Sequence, residues 1–119
     1  LKNIERGKLD TKTCLESLED LLAGTNKIFS EESIPSHTDC HFGLWYYSTG
    51  QIVLKDIDEF KAYEDLHIRF HQLVSEGAKA YRQGGSKENI AREKYARAKD
   101  LSLKMHTLLD RIQQKWQNR

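Results

Sequence analysis

The chain has 119 residues, of which 31% are charged and 38% hydrophobic, and 19 basic against 18 acidic residues leave a net charge of +1. This length suits a single domain with one modest core. The two signs of charge are interspersed, which argues against a nucleic-acid-binding surface. No apolar run is long enough to cross a membrane, so the sequence indicates a water-soluble segment without a membrane span.

The start of the chain and its two cysteines suggest that it belongs to a longer protein in a reducing compartment. The chain opens at Leu1 in the middle of a pattern and without a signal peptide, so we expect residues 1–119 to be one domain of a longer protein. Two cysteines, Cys14 and Cys40, are too few for a disulfide framework. We therefore expect reduced thiols and a cytoplasmic location.

The first part of the chain is predicted to form one long helix. One proline and seven glycines are few helix breakers for this length. The helix is predicted over residues 1–23 and ends before Gly24. Its stripe consists of Ile4, Thr11, Leu15, Leu18 and Leu22. Residues 25–36 are then expected to form a surface loop containing a turn of helix.

A short helix is predicted over residues 37–49, with Ser36 as its N-cap and Gly50 at its end. Residues 51–55 are expected to be an extended link. Gly43 lies inside this helix, where glycine costs about 0.5–1 kcal/mol relative to alanine. We therefore expect a neighbouring helix to approach closely at that point.

Two further long helices are predicted over residues 57–82 and 86–117, separated by Gly84 and Gly85 and with Ser86 capping the second. Each carries one apolar stripe with steps of three and four residues. The stripes are Phe60, Tyr63, His67, Phe70, His71, Val74, Ala78 and Tyr81, then Ile90, Tyr95, Ala98, Leu101, Met105, Leu108, Ile112 and Trp116. We predict an all-α fold, an antiparallel four-helix bundle of three long helices and one short cysteine-bearing helix.

A histidine pair lies in the middle of the third helix. His67 and His71 are separated by about 6 Å along the axis and roughly 40° around it, so their rings can converge on one ion. The alternative is two core-edge histidines bonded to carbonyls or carboxylates. Cys40 in the short helix adds a soft donor, although a buried free cysteine is usually a small hydrophobic residue.

The pattern Cys40-x-Phe42-Gly43-x-Trp45, followed by His67-x-x-x-His71, resembles the chemoreceptor zinc-binding (CZB) domain of bacteria. The resemblance implies a four-helix bundle holding one zinc ion through three histidines and one cysteine. It makes Cys40, His67 and His71 zinc ligands, and one thiolate with two imidazoles suits tetrahedral Zn²⁺. It also implies a sensory domain of a chemoreceptor or diguanylate cyclase, commonly a homodimer, covalently linked to a signalling domain.

One ligand of that family has no counterpart here. The family's remaining histidine lies on the first helix, whereas this chain has no histidine before His37. Thr11, a poor zinc ligand, falls near that position. Cys14 could supply a second thiolate, Asp10 an oxygen or His37 a nitrogen, and a water or exogenous anion could also fill the gap. We favour Cys14 because sulfur is the stronger donor, with a packed core thiol as its alternative.

The leading hypothesis is a zinc-dependent sensory module in which zinc occupancy or oxidation of the Cys40 thiolate is the signal. The alternative is a metal-free helical interaction domain that binds a partner helix. A metallohydrolase is less well supported because residues 67–71 lack the His-Glu-x-x-His motif, so we expect no enzymatic activity. His41 and His106 are interpreted as solvated side chains, and Trp45 as a packing residue.

Overall fold

The computed structural model describes residues 1–25 and 34–118. In chain order the elements are α1 (Lys2–Leu22), α2 (His41–Trp45), a π-helix (Tyr46–Gly50), α3 (Gln51–Leu54), α4 (Asp58–Gln83) and α5 (Lys87–Gln117). Within the described ranges there is no β-strand, so the predicted all-α class is confirmed. The loop predicted over residues 25–36 falls largely on residues 26–33, which lie outside the described residues.

The three long helices form the body of the bundle. α4 and α5 make its most extensive interface, and Gly84 and Gly85 join them with φ angles of 70° and 58°. Glycine adopts these left-handed angles without steric cost, which explains the sharp reversal of the chain. α1 packs against both α5 and α4, and α2 contacts α1. The predicted helical bundle is therefore confirmed, with the short cysteine-bearing segment as its fourth member.

The short segment starts later than predicted. Its N-cap is Cys40 rather than Ser36, and the Cys40 sulfur accepts a hydrogen bond from the Gly43 N–H at 3.2 Å. The hydroxyl of Ser36 instead pairs with that of Thr38. Serine is a common N-cap residue, but here its hydroxyl bonds a neighbouring side chain and not a backbone N–H group of the helix.

The short segment also ends later than predicted. Gly50 does not terminate it, because its φ and ψ of −56° and −43° are helical. The π-helix Tyr46–Gly50 instead adds one wide turn, and α3 (Gln51–Leu54) follows directly. The extended link expected over residues 51–55 is therefore wrong. A π-turn inside a helix has no distinctive sequence pattern, and such turns are frequent at functional sites.

Two glycines have roles that the sequence assigned only in part. A Cβ atom at Gly43 would collide with the carbonyl oxygen of His37 in the preceding turn, so the close neighbour is not another helix. The tight approach between helices occurs at Gly7, where a Cβ atom would lie 2.6 Å from the ring of Phe42. α1 and α2 therefore meet with a bare stretch of backbone against an aromatic ring.

The stripes of the long helices meet in one core. The largest fully buried side chains include Tyr46, Tyr63, Phe42, Phe60 and Phe70. Two details of the predicted α5 stripe are wrong: Ile90 is 38% exposed, and Leu109 rather than Leu108 is fully buried. Both leucines lie three or four residues after Met105, so spacing alone does not choose between them.

Candidate metal centre

Three side chains from two elements converge at one point of the core. The Cys40 sulfur lies 3.5 Å from Nε2 of His67, and Nε2 of His67 lies 3.1 Å from Nε2 of His71. All three donor atoms lie within 4.8 Å of one another. α4 supplies both histidines because residues four apart share a helix face, and the turn before α2 supplies the cysteine. The sequence predicted these three residues to meet, and the structure brings them together.

The separations of the donor atoms suit a zinc ion. Bonds of about 2.3 Å to sulfur and 2.0–2.1 Å to nitrogen in a tetrahedron place sulfur and nitrogen about 3.6 Å apart and two nitrogens about 3.3 Å apart. The observed 3.5 Å and 3.1 Å are close to those values. A cavity of about 20 Å³, here named the inner cavity, lies among the three residues and has room for a single ion. The donor set therefore fits zinc in chemistry and in size.

The ring of His71 is oriented by the backbone. Its Nδ1 lies 2.8 Å from the carbonyl oxygen of Pro35. Because a carbonyl only accepts hydrogen bonds, the ring proton belongs on Nδ1, which leaves the lone pair on Nε2 facing the other donors. Metal-binding histidines typically have such an outer partner. Sequence reasoning did not identify Pro35, since a backbone acceptor leaves no signal in residue type.

Burial keeps both imidazoles neutral. Burial, with smaller contributions from the neighbouring rings of His71 and His37, lowers the pKa of His67 to about 3. Burial also lowers the pKa of His71, although the hydrogen bond to Pro35 opposes this effect. At neutral pH each ring therefore has a free lone pair, as a metal ligand requires.

Opposing interactions act on the pKa of the Cys40 thiol, and their net effect is to raise it. Burial raises its pKa, whereas the N–H groups of Gly43 and Phe42 stabilise the thiolate and lower it, and the carboxylate of Asp10 raises it. The thiol also donates a hydrogen bond to the carbonyl oxygen of His37, at 3.6 Å. A bound cation would displace the thiol proton, and the same N–H groups would then stabilise the thiolate.

Comparison with known protein families gives an independent assignment. The chemoreceptor zinc-binding domain (CZB) matches residues 14–77, which is more than half of the chain and includes Cys40, His67 and His71. The chain belongs to the CZB family. No curated protein matches it, and no solved structure matches it. The resemblance predicted from the sequence is confirmed, and the family is described as zinc-binding.

The four candidates for a further ligand occupy different places in this CZB domain. Asp10, Thr11 and Cys14 lie on the α1 face that lines the inner cavity. His37 packs the edge of its ring on His67, with centroids 6.0 Å apart. Among the described cysteine, histidine and acidic side chains, no fourth donor lies within 4.8 Å of all three that converge. The preference for Cys14 remains a prediction.

A larger cavity of about 500 Å³, here named the outer cavity, adjoins the site between α1 and the segment before α2. Asp10, Cys14 and Cys40 line both cavities. A metal ion could therefore reach the inner cavity past these three side chains.

None of the helices among the described residues has the length and apolar character needed to cross a membrane.

The two remaining histidines differ from each other. The His41 side chain is 69% exposed, as the sequence suggested, and lies 2.5 Å from an Arg6 guanidinium nitrogen. The interpretation of His106 as solvated is wrong for part of its ring, because its Nε2 is buried and has no hydrogen-bond partner among the described residues. Neither histidine contributes to the metal centre of this CZB domain.

Proposed function

We propose that this chain is a zinc-binding regulatory domain in which Cys40, His67 and His71 bind one Zn²⁺. The observation that carries the proposal is the convergence of one sulfur and two ring nitrogens within 4.8 Å of one another, with the two separations that involve His67 close to those of a tetrahedral zinc site. Membership of the CZB family supports the choice of zinc over other divalent ions. One thiolate with two imidazoles is also a donor set that zinc prefers.

The proposed role of the ion is to tie the cysteine-bearing segment to α4. Cys40 lies just before α2, whereas both histidines lie on α4, so a shared ion would join two elements that are distant in sequence. Removal of zinc, or oxidation of the thiolate, would release α2 from this link. In this proposal zinc occupancy or the redox state of Cys40 is the signal.

We place this domain in a cytoplasmic signalling protein, covalently linked to an output domain of the chemoreceptor or diguanylate cyclase type. Contacts between α1 and α5 of two copies would supply a homodimer. We propose a regulatory rather than an enzymatic role, because Ile68, Arg69 and Phe70 stand between the histidines and provide no general base of the metalloprotease kind.

Replacement of the ligands tests the proposal. Cys40→Ala and His71→Ala are each expected to lose most of the bound zinc, because each variant lacks one of the three donors that converge. His106→Ala is the matched control, since it removes a histidine on α5 that lies outside the lining of the inner cavity. Zinc per chain is measured by atomic emission after purification with zinc in excess and dialysis. Wild type and the control should hold about one equivalent.

Two outcomes would contradict the proposal. Full zinc content in both ligand variants would show that these residues do not bind the ion. Absence of zinc from the wild-type protein would instead favour the metal-free interaction domain. In that case the partner helix would be sought by mixing experiments with the same preparation.

A further inference from the structure

The proposed zinc site has an uncompensated charge. One thiolate and two neutral imidazoles around Zn²⁺ leave a net charge of +1. The walls of the inner cavity include the rings of Phe42, Tyr63 and Phe70, which are buried. An excess charge in such surroundings is costly unless an anion pairs with it. An anionic side chain in the lining of the same cavity would neutralise this charge where a neutral ligand would not.

We infer that the carboxylate of Asp10 is the fourth ligand of the metal centre. This inference rests on the proposed zinc function and identifies the residue that completes it. Asp10 is the acidic side chain that lines the inner cavity within the described part of the chain. It lies on the α1 face toward the site, together with Gly7, Thr11 and Cys14, at helical spacing.

The surroundings of Asp10 resemble those of a ligating carboxylate. Its Oδ2 accepts a hydrogen bond from the Phe42 N–H at 3.2 Å, and its Oδ1 pairs with Arg6 Nε at 3.1 Å. These two contacts use one lone pair on each oxygen and leave one free on each. Carboxylates that bind metals are commonly held by such outer hydrogen bonds. Phe42 follows Cys40 by two residues, so this bond also links Asp10 to the cysteine-bearing segment.

The other candidates on α1 are less suitable. The hydroxyl of Thr11 donates to the carbonyl of Gly7 at 2.9 Å and carries no charge. Cys14 lines the same cavity as Cys40 and Asp10, so a thiolate there would stand beside two other negative charges.

Zinc K-edge X-ray absorption on the unmodified full chain tests the ligand set. A Cys40, His67, His71 and Asp10 site predicts one sulfur and three nitrogen or oxygen neighbours. Two sulfur neighbours would overturn the inference in favour of Cys14. This measurement requires no substitution, so it stands even where a variant fails to fold.

A pair of near-isosteric variants completes the test. Asp10→Asn is expected to lower zinc affinity about tenfold or more, whereas Cys14→Ser should leave it within about threefold. Affinity is measured by competition with a chromogenic chelator, and circular dichroism of the zinc-free variants checks folding. An unchanged affinity in Asp10→Asn would overturn the inference and indicate water as the fourth ligand. Failure of the proposed zinc function is distinct, because the wild-type protein would then bind no zinc.

Discussion

At the scale of single residues, His106 couples the stability of the bundle to pH from outside the metal centre. It lies on α5, and its Nε2 is buried without a hydrogen-bond partner among the described residues. Burial is the main cause that lowers its pKa, and the Lys8 ammonium lowers it further. Asp110, Glu5 and a backbone hydrogen bond at Lys8 oppose the shift without cancelling it.

The sign of the pH dependence follows from that shift. Below about pH 6.5 the unfolded chain binds a proton at this histidine that the folded chain does not, so the free energy of unfolding falls as the pH falls. We expect His106→Leu to reduce the loss of stability between pH 7 and pH 5.5. Urea denaturation of zinc-loaded wild type and variant at both pH values measures the difference.

The difference between the losses of stability of wild type and variant isolates His106, because the other histidines contribute equally to both. His106→Leu should also stabilise the protein at pH 7 by about 1 kcal/mol, because the buried unpaired nitrogen is removed. A loss of stability on acidification that is equal in wild type and variant would contradict this account of His106.

The sequence predicted the three side chains that converge, but not the groups that support them. Cys40, His67 and His71 could be identified because the identity and spacing of their side chains encode the chemistry. The carbonyl of Pro35, which orients His71, is a backbone group that any residue could present. The hydrogen bond between Asp10 and the Phe42 N–H joins elements distant in sequence, and its existence depends on how α1 and α2 dock.

At the scale of elements, the turn before α2 is sterically restricted. A Cβ atom at Gly43 would collide with the His37 carbonyl oxygen and lie 2.9 Å from its carbonyl carbon. Backbone atoms cannot move aside as a flexible side chain can. The same Gly43 provides the N–H that contacts the Cys40 sulfur, so the steric restriction and the position of the sulfur are linked.

Gly43→Ala is therefore expected to displace the turn that carries Cys40. We expect zinc affinity to fall about tenfold or more and stability to fall by about 1–3 kcal/mol, the usual range for overpacking. Gly77→Ala on α4 is the matched control. Its Cβ would meet the Leu18 side chain at 3.2 Å and the Lys94 side chain at 3.4 Å, so small adjustments of side chains suffice.

Chelator competition and thermal unfolding measure both variants. The control should keep wild-type zinc affinity, since Gly77 lies outside the lining of the inner cavity. Equal affinities in the two variants would show that the turn tolerates a side chain at Gly43. The sequence predicted a close contact at Gly43 but not that the His37 carbonyl makes it. Periodicity describes the faces of helices and carries no information about turns.

Prediction of the elements was most accurate where periodicity was longest. The three long helices end within about two residues of the predicted limits, because repeated steps of three and four and the glycines at positions 24, 84 and 85 define them. The short segment was predicted least accurately. It changes from α2 through the π-helix to α3 within a few residues, which is too short for a periodic signal.

At the scale of the whole molecule, the proposed zinc ion is expected to stabilise the turn at Cys40 more than the rest of the bundle. The α4–α5 interface is the most extensive and is built from buried apolar side chains such as Val74 and Met105. The later part of the cysteine-bearing segment packs on α4 without the metal centre, because the Tyr46 ring stacks on that of Phe60 with centroids 4.1 Å apart. Removal of zinc should therefore loosen the turn at Cys40 first.

Hydrogen exchange with and without a chelator tests this expectation. We expect amides of residues 41–45 to exchange at least about tenfold faster after zinc removal, because the turn at Cys40 loses its link to the histidines of α4. Amides of α5 facing α4 should change by less than about threefold. Mass spectrometry of peptides from the two conditions gives both values. A uniform acceleration across the chain would show that zinc stabilises the bundle as one cooperative unit.

The ring of Phe42 packs between His67 of the metal centre and the N-terminal helix α1. One edge of this ring faces His67, with centroids 5.7 Å apart, and another part rests on the bare backbone at Gly7. No flexible side chain stands at Gly7 to absorb movement, and a close-packed interior transmits small displacements. A shift of His67 as the ion leaves would therefore push α1 itself, so the angle of the first helix would report whether the site is filled.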